Sequence, residues 1–390
     1  MSAETPLPPP QPTEEFRPHP AVTRLLVTDF RSYGRAALEA DARPVVLIGA
    51  NGAGKTNLLE ALSFLSPGRG LRRARLSEVV RRSASAGWAV AATVNRGDDA
   101  VQVGTGLVVE RGQPSERRTV RLNGAGASQA DLPDLLSLAW LTPQMDRLFI
   151  EPASGRRRFL DRLVFGLDPA HGRVASAYEK AMRERGRLLR DGPRDPAWLA
   201  ALEETMAAEG VALAAARRDF TARLGAALEL GIGPFPRAGL ALDGVIEGWL
   251  EEMPALAVED RFRAALAAAR GRDGEAGGAT LGPHRSDLAV THVAKDMPAA
   301  QCSTGEQKAL LIAMILANAR LAAARAGAPP ILLLDEVAAH LDEGRRRALF
   351  DEVLALGVQT WATGTDASLF EALEGRAQFF TVAEGAVSPR

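Results

Sequence analysis

Residues 49–56 read Gly-Ala-Asn-Gly-Ala-Gly-Lys-Thr. Glycines at this spacing let the backbone fold tightly, so that successive N–H groups point at one phosphate. All eight residues, Gly49, Ala50, Asn51, Gly52, Ala53, Gly54, Lys55 and Thr56, are candidates for that cradle. Lys55 offers an ammonium for the β- and γ-phosphates, and Thr56 a hydroxyl for Mg²⁺. The flanks suit the task. Val45–Ile48 is apolar and reads as a strand, and Asn57–Leu62 reads as a helix whose N-terminus adds partial positive charge. Without those flanks the stretch would be an ordinary Gly-rich turn.

Bound Mg²⁺ needs a second anchor. Ile331-Leu332-Leu333-Leu334 reads as a buried parallel strand, and Asp335 and Glu336 follow it. Open α/β sheets place ligands at the carboxyl ends of their strands. Asp335 is therefore the candidate to hold the metal through water, as in a Walker B element, and Glu336 to polarise an attacking water. Thr56 and Asp335 are 279 positions apart, which predicts a long insertion between them. Shortly before the second element stands Ser303-Thr304-Gly305-Glu306-Gln307-Lys308, followed by an apolar helix to about Ala326. Two readings fit it: a further phosphate-binding turn at a helix start, or a capping box of Ser303 with Glu306.

The order phosphate loop, insertion, Ser-x-Gly-Glu turn, Walker B resembles the ABC-type ATPases of the SMC and Rad50 kind. The resemblance implies an α/β fold, an ABC-type P-loop ATPase head with an inserted helical arm or lobe. It also implies ATP held between two copies, the turn of one (Ser303, Gly305) closing over the phosphates bound by the other. Ala339-His340-Leu341-Asp342 resembles the D-loop, which makes Asp342 a second contact in trans. Gln144 stands where a Q-loop follows a strand, and so joins Thr56 and Asp335 as a metal residue. Such a dimer is two-fold and isologous.

Further blocks resemble the RecF family of bacterial recombination-mediator ATPases. They are Thr23–Tyr33, Gly49–Leu62, Ser66–Arg72, Gly155–Asp161 and Leu281–Leu288, in order along the chain. The resemblance implies weak, DNA-stimulated ATP hydrolysis, duplex and single-stranded DNA as partner, RecR and RecO as protein partners, and a role in RecA loading, replication restart and SOS induction. Two departures stand out. Ala339 replaces the Ser common in D-loops. The segment Gln359–Asp366 lacks the histidine of transporter-type subunits, leaving Thr363 or Thr365 to approach the γ-phosphate.

Composition sets bounds. The chain has 390 residues, 46% hydrophobic and 24% charged, ordinary for a globular core. No uninterrupted apolar run reaches the roughly 18 residues of a membrane span, so no membrane partner and a cytoplasmic location are expected. The single cysteine, Cys302, permits no intrachain disulfide, and a small buried hydrophobe is its expected role. The expected organisation is a Pro-rich disordered extension (1–20), a first ATPase lobe with the phosphate loop (21–150), a helical lobe or arm (151–280) and completion of the head (281–390). Pro193 and Pro196 are expected to break the arm into two antiparallel helices, and Gly271–Gly278 to form a flexible link.

Net charge is −1, but its distribution is polar. Residues 69–121 and 147–190 each carry eleven basic and five acidic groups, whereas 191–296 carry eleven and seventeen. Arg69, Arg72, Arg73 and Arg75 are the densest cluster and candidates for neutralising DNA phosphates without base reading. Ordinary surface charge is the competing account, since all but four of the basic residues are Arg. Two other functions fit the same motifs: a nucleotide sensor or interaction module with little turnover, and another SMC-like ATPase of DNA defence.

Overall fold

The computed structural model describes residues 19–84, 87–108, 117–191, 195–326 and 329–390. Almost all of the expected Pro-rich extension, and Pro193, lie outside them. In chain order the strands are β1 (Ala21–Phe30), β2 (Tyr33–Glu39), β3 (Val45–Ile48), β4 (Gly87–Arg96), β5 (Asp99–Val108), β6 (Arg118–Leu122), β7 (Ala125–Ala127), β8 (Leu138–Leu141), β9 (Ala238–Asp243), β10 (Asp287–His292), β11 (Met297–Pro298), β12 (Ile331–Leu334), β13 (Thr360–Gly364), β14 (Gln378–Ala383) and β15 (Ala386–Pro389). The helices are α1 (Lys55–Ser63), α2 (Ala153–Phe165), α3 (His171–Asp191), α4 (Pro196–Glu229), α5 (Val245–Glu252), α6 (Ala255–Ala268), α7 (Arg270–Ala276), α8 (Thr304–Ala326) and α9 (Glu343–Leu356).

The strands that position the chemistry form one sheet in the order β15-β14-β3-β13-β12-β8, parallel except for β15. β3, β12 and β8 are buried at every position, as expected of strands covered on both faces. Alternation divides their side chains between two cores. Val46, Ile48, Leu332 and Leu334 join α8 and α9 in one cluster. Val45, Leu47, Ile331 and Leu333 join α1 and the antiparallel sheet β2-β1-β4-β5-β6-β7 in the other. A one-residue slip of β3 would exchange the two sets, so packing fixes where the phosphate loop emerges.

α8 is apolar nearly all round, and each residue from Ala309 to Ala317 is at most 2% exposed. By length and composition Thr304–Ala324 could cross a membrane, but 78% of that window is buried inside the protein, which marks a core helix. Cys302, just before it, is 7% exposed, as expected of a small buried hydrophobe.

The insertion is helical as expected. α3 and α4 pack along each other, and α4, with 34 residues, spans about 50 Å. Pro196 starts α4 rather than ending a helix. It occupies the first turn, where its missing N–H is no loss, behind an Asp195 cap that accepts from Ala197 N at 2.9 Å and Trp198 N at 3.2 Å. Gly271–Gly278 departs from the expected flexible link, because most of it is helix α7.

The arm meets the head through polar contacts. Arg217 of α4 makes a two-point ion pair with Asp161 of α2 at 2.8 Å and donates to the Pro283 carbonyl at 2.7 Å. Nearby, His284 Nε2 donates to the Ala279 carbonyl at 2.8 Å, and the Tyr178 hydroxyl donates to His284 Nδ1 at 2.7 Å. Both ring nitrogens are thus satisfied in the neutral form, and burial pushes the His284 pKa below its ordinary 6.5. The unfolded chain therefore takes up the proton first on acidification. This contribution to stability is complete above about pH 6.5 and is lost as pH falls below it. Melting temperatures should fall between about pH 7.5 and 5.5, with a shallower fall in His284→Gln. Equal slopes in the two proteins would remove His284 as the responsible group.

Candidate nucleotide site

Lys55 opens α1 directly behind Gly54, and the loop from Gly49 links it to β3. Two glycines are required there by geometry. Gly54 has φ 110°, in the left-handed region, and a Cβ on it would lie 2.6 Å from the Tyr33 hydroxyl. A Cβ on Gly49 would lie 2.2 Å from the Val382 carbonyl oxygen. Tyr33 also donates to the Gly54 carbonyl at 3.1 Å, pinning the loop from beneath. Ala50, Asn51 and Gly52 form its exposed crown.

Lys55 is 3% exposed. Its Nζ donates to the carbonyls of Gly49 at 2.7 Å and Ala50 at 3.0 Å. Burial pushes its pKa down, and the carboxylates of Glu336 and Asp335 push it back up. The Thr56 hydroxyl donates to Asp335 Oδ1 at 2.8 Å. Residues 279 positions apart thus meet at the carboxyl ends of β3 and β12.

β13 lies between those strands and supplies what the sequence left open. The Thr363 hydroxyl donates to Asp335 Oδ1 at 2.9 Å and accepts from the Glu336 N–H at the same distance. Thr363 is buried, while Thr365 is exposed beyond the strand. Thr363 therefore orients the Asp335 carboxylate and fixes the backbone of Glu336. Burial raises the Asp335 pKa, opposed by the hydrogen bonds from Thr56 and Thr363. Glu336 has φ 53°, a backbone state costing about 1–3 kcal/mol for a residue with a side chain. It turns the chain sharply after Asp335.

The donors here, a threonine hydroxyl and carboxylates, are hard oxygens suited to Mg²⁺, which takes one or two carboxylates with substrate phosphates. Gln144 follows β8, the strand beside β12, and is exposed in the turn Pro143–Arg147. Two residues on, Asp146 pairs with the buried Lys308 Nζ at 3.7 Å. This tie joins the turn to α8.

Ser303 and Glu306 form the capping box anticipated as one of two readings. The Ser303 N–H and hydroxyl donate to Glu306 Oε2 at 3.0 and 2.8 Å. Lys295 also pairs with Glu306, and together these donors bring its pKa down to about 2. Ser303 and Gly305 are nonetheless exposed, at a helix start whose first N–H groups have no intrahelical acceptor. Asp342 is exposed and caps α9, accepting from Arg345 N at 2.9 Å. Among the described residues no hydrogen bond or ion pair joins Ser303, Gly305 or Asp342 to the phosphate loop of the same chain.

The arginine cluster splits. Arg69, Arg73 and Arg75 are exposed. Arg72 turns inward, donating to Asn57 Oδ1 at 2.8 Å and Glu60 Oε2 at 3.2 Å. Glu60 is fully buried and also pairs with Arg31 at 2.7 Å, so Arg72 helps to neutralise a buried carboxylate behind α1. Arg118, in the same basic stretch, is 6% exposed. It holds the carbonyls of Phe64, Ser66 and Gly68.

A parallel sheet with its phosphate loop, Walker B acids and a Ser-x-Gly-Glu helix start defines the head of an ABC-type ATPase of the SMC and Rad50 kind. A family model described as the RecF/RecN/SMC N terminal domain matches residues 21–386. The DNA replication and repair protein RecF of Mesorhizobium japonicum is 52% identical over 371 residues, covering 94% of this chain and 97% of that one. That of Allorhizobium ampelinum is 53% identical over 370 residues, covering 94% and 98%. The chain belongs to the RecF family. Among solved structures, the recombination mediator protein RecF-ATP in the RecFOR pathway superposes with TM-score 0.83 at 21% identity, covering 97% of this chain and all of that one. The Smc head domain of Pyrococcus furiosus gives 0.53 at 15% identity, covering 95% of this chain and 96% of that one.

Proposed function

We propose that this chain is an ATP-gated DNA clamp acting in DNA replication and repair. The observation that carries the reading is the Thr56–Asp335 contact, with Thr363 beneath it. It joins the phosphate loop to the Walker B acid in one site. Relatives at 52–53% identity bear the name DNA replication and repair protein RecF, which supports the cellular role.

In this reading Gly49–Thr56 cradle the ATP phosphates, and Lys55 leaves the loop carbonyls to meet them. Thr56, Asp335 and Gln144 would hold Mg²⁺, which when bound neutralises charge on the β- and γ-phosphate oxygens. Glu336 orients the attacking water. A second copy offers Ser303, Gly305 and Asp342 across a two-fold interface, an arrangement favoured by their exposure and their separation from the loop of their own chain. Closure brings together the exposed arginines Arg69, Arg73 and Arg75 as a DNA surface without base preference. Hydrolysis is slow and releases the clamp. RecR and RecO are the protein partners, and RecA loading at gaps is the outcome served.

Analytical ultracentrifugation of the chain with a short gapped duplex, with and without ATP, tests the proposal. Wild type should dimerise and retain DNA only with ATP, and Lys55→Met should lose both. A chain that stays monomeric with ATP, or holds DNA equally without it, would leave only a nucleotide-sensing role.

A further inference from the structure

A cleft of about 370 Å³ lies between the segment after α1 and helices α2 and α3, away from the phosphate loop. Its electrostatics are one-sided. Arg69, Arg73 and Arg158 stand on its rim and Arg162 lies deeper. Among the described residues no hydrogen bond or ion pair engages Arg69, Arg73 or Arg158. The two acids present are already occupied. Asp161 holds Arg217 and His171, and Glu179 accepts from Arg183.

Arg162 is the decisive residue. Protein surrounds it, and it keeps only partial solvent access. Its guanidinium stacks over the Trp140 ring at 4.3 Å and reaches the Met145 sulfur at 3.7 Å, while its Nε is buried with no partner. Cation–π contact contributes about 0.5–2 kcal/mol, less than a desolvated charge needs. Burial, then repulsion from Arg73, bring its pKa down to about 9. Arg73 is lowered likewise, first by burial and then by Arg158 and Arg69, with Glu179 opposing. Four guanidiniums gather against two carboxylates, of which Asp161 is committed to Arg217 and His171, and the excess positive charge calls for an anion.

The other wall is apolar. Leu136, Leu138, Phe165 and Pro67 are among its residues. An apolar wall facing a few placed charges is the usual build of a small-ligand pocket, and the volume falls at the small end of the ~300–1,000 Å³ range. That admits one nucleotide unit and excludes a duplex. Arginine forks match phosphate oxygens two at a time.

We propose that this cleft binds a single phosphate-bearing nucleotide unit, its phosphate on Arg69, Arg73, Arg158 and Arg162 and its base against the apolar wall. The source is either a free mononucleotide or the 5′-phosphorylated end of a DNA strand. The site is separate from the ATP loop but shares Arg69 and Arg73 with the DNA surface of the clamp reading. Arg158 lies outside that surface, so retention of gapped duplex by Arg158→Gln, measured alongside, reports on the clamp reading independently.

Calorimetric titration of the full chain carrying Lys55→Met keeps the phosphate loop from contributing. The probes are dTMP, thymidine, inorganic phosphate, short oligothymidylates with and without a 5′-phosphate, and oligo-glutamate. Saturable binding of dTMP but not thymidine is expected. It should weaken about tenfold or more in Arg73→Gln and in Arg158→Gln, whose exposed positions spare the fold. Preference for the 5′-phosphorylated oligomer assigns the strand end, and binding of dTMP alone assigns the free nucleotide. No saturable phosphate binding, unchanged affinity in a protein carrying both Arg73→Gln and Arg158→Gln, or binding of oligo-glutamate without dTMP would overturn the proposal.

Discussion

Glu336→Gln should slow ATP hydrolysis by about a hundredfold or more while nucleotide still binds. The substitution keeps side-chain volume and leaves the backbone N–H that donates to Thr363 untouched. Thr56, Asp335 and Lys55 therefore stay in place. What disappears is the carboxylate able to accept a proton from water at the carboxyl end of β12. Product release cannot precede hydrolysis, so the ATP-bound dimer should persist longer on DNA by a similar factor. Single-turnover hydrolysis with dimer dissociation followed by light scattering reads both quantities. Unchanged hydrolysis would place the base elsewhere and favour a sensor. Loss of binding as well as turnover would show that Glu336 supports the fold of the loop rather than the chemistry.

The parts of this site legible in the sequence are those that are contiguous. A phosphate loop works through backbone N–H groups, so its glycines must be neighbours, and the acids of a Walker B strand follow directly on its apolar run. That Thr56 and Asp335 meet follows from putting both at the carboxyl ends of parallel strands. Thr363 is different. Its role depends on β13 lying between β3 and β12, and strand order is set by packing that no local pattern records. Thr363 and Thr365 were equivalent on paper. The strand ends at Gly364, so one is buried against Asp335 and the other is in solvent. Charge clusters misled in a related way. Arg72 counts the same as Arg73 in a tally, yet a buried Glu60 draws it inward. Arg162 was one arginine in a basic helix, and its missing partner is visible only once Trp140 and the cleft are in place. The pair of long helices α3 and α4, by contrast, is legible in the sequence, from a stretch of helix-forming residues interrupted by prolines.

The segment Gly271–Gly278 shows why a flexible link was a fair expectation and why it fails. α7 has seven residues, two of them glycine. Each glycine costs about 1 kcal/mol in a helix, and an isolated helix this short does not form in water. Distant charges hold it. Asp273 Oδ2 accepts from Arg185 Nη1 at 2.8 Å, and its Oδ1 accepts from the Thr280 hydroxyl at the same distance. Arg185 also donates to Glu203 at 2.9 Å and to the Leu266 carbonyl at 2.7 Å. Arg185 and Glu203 are 1% exposed and Asp273 is closed to solvent. Replacing Arg185 by Met keeps the bulk but leaves Asp273 without a counter-charge, and Glu203 with Arg270 alone. Breaking a buried pair from one side costs about 3–5 kcal/mol. The melting temperature should drop by roughly 5–10 °C. Hydrogen exchange should show α7 losing protection before α3 and α4 do, because its own propensity cannot hold it. Arg185→Lys should recover only part of the loss, since one ammonium cannot span two carboxylates and a carbonyl in that geometry. If α7 stays protected in Arg185→Met, local packing rather than the ion cluster holds it, and the charges serve only to fill the interior.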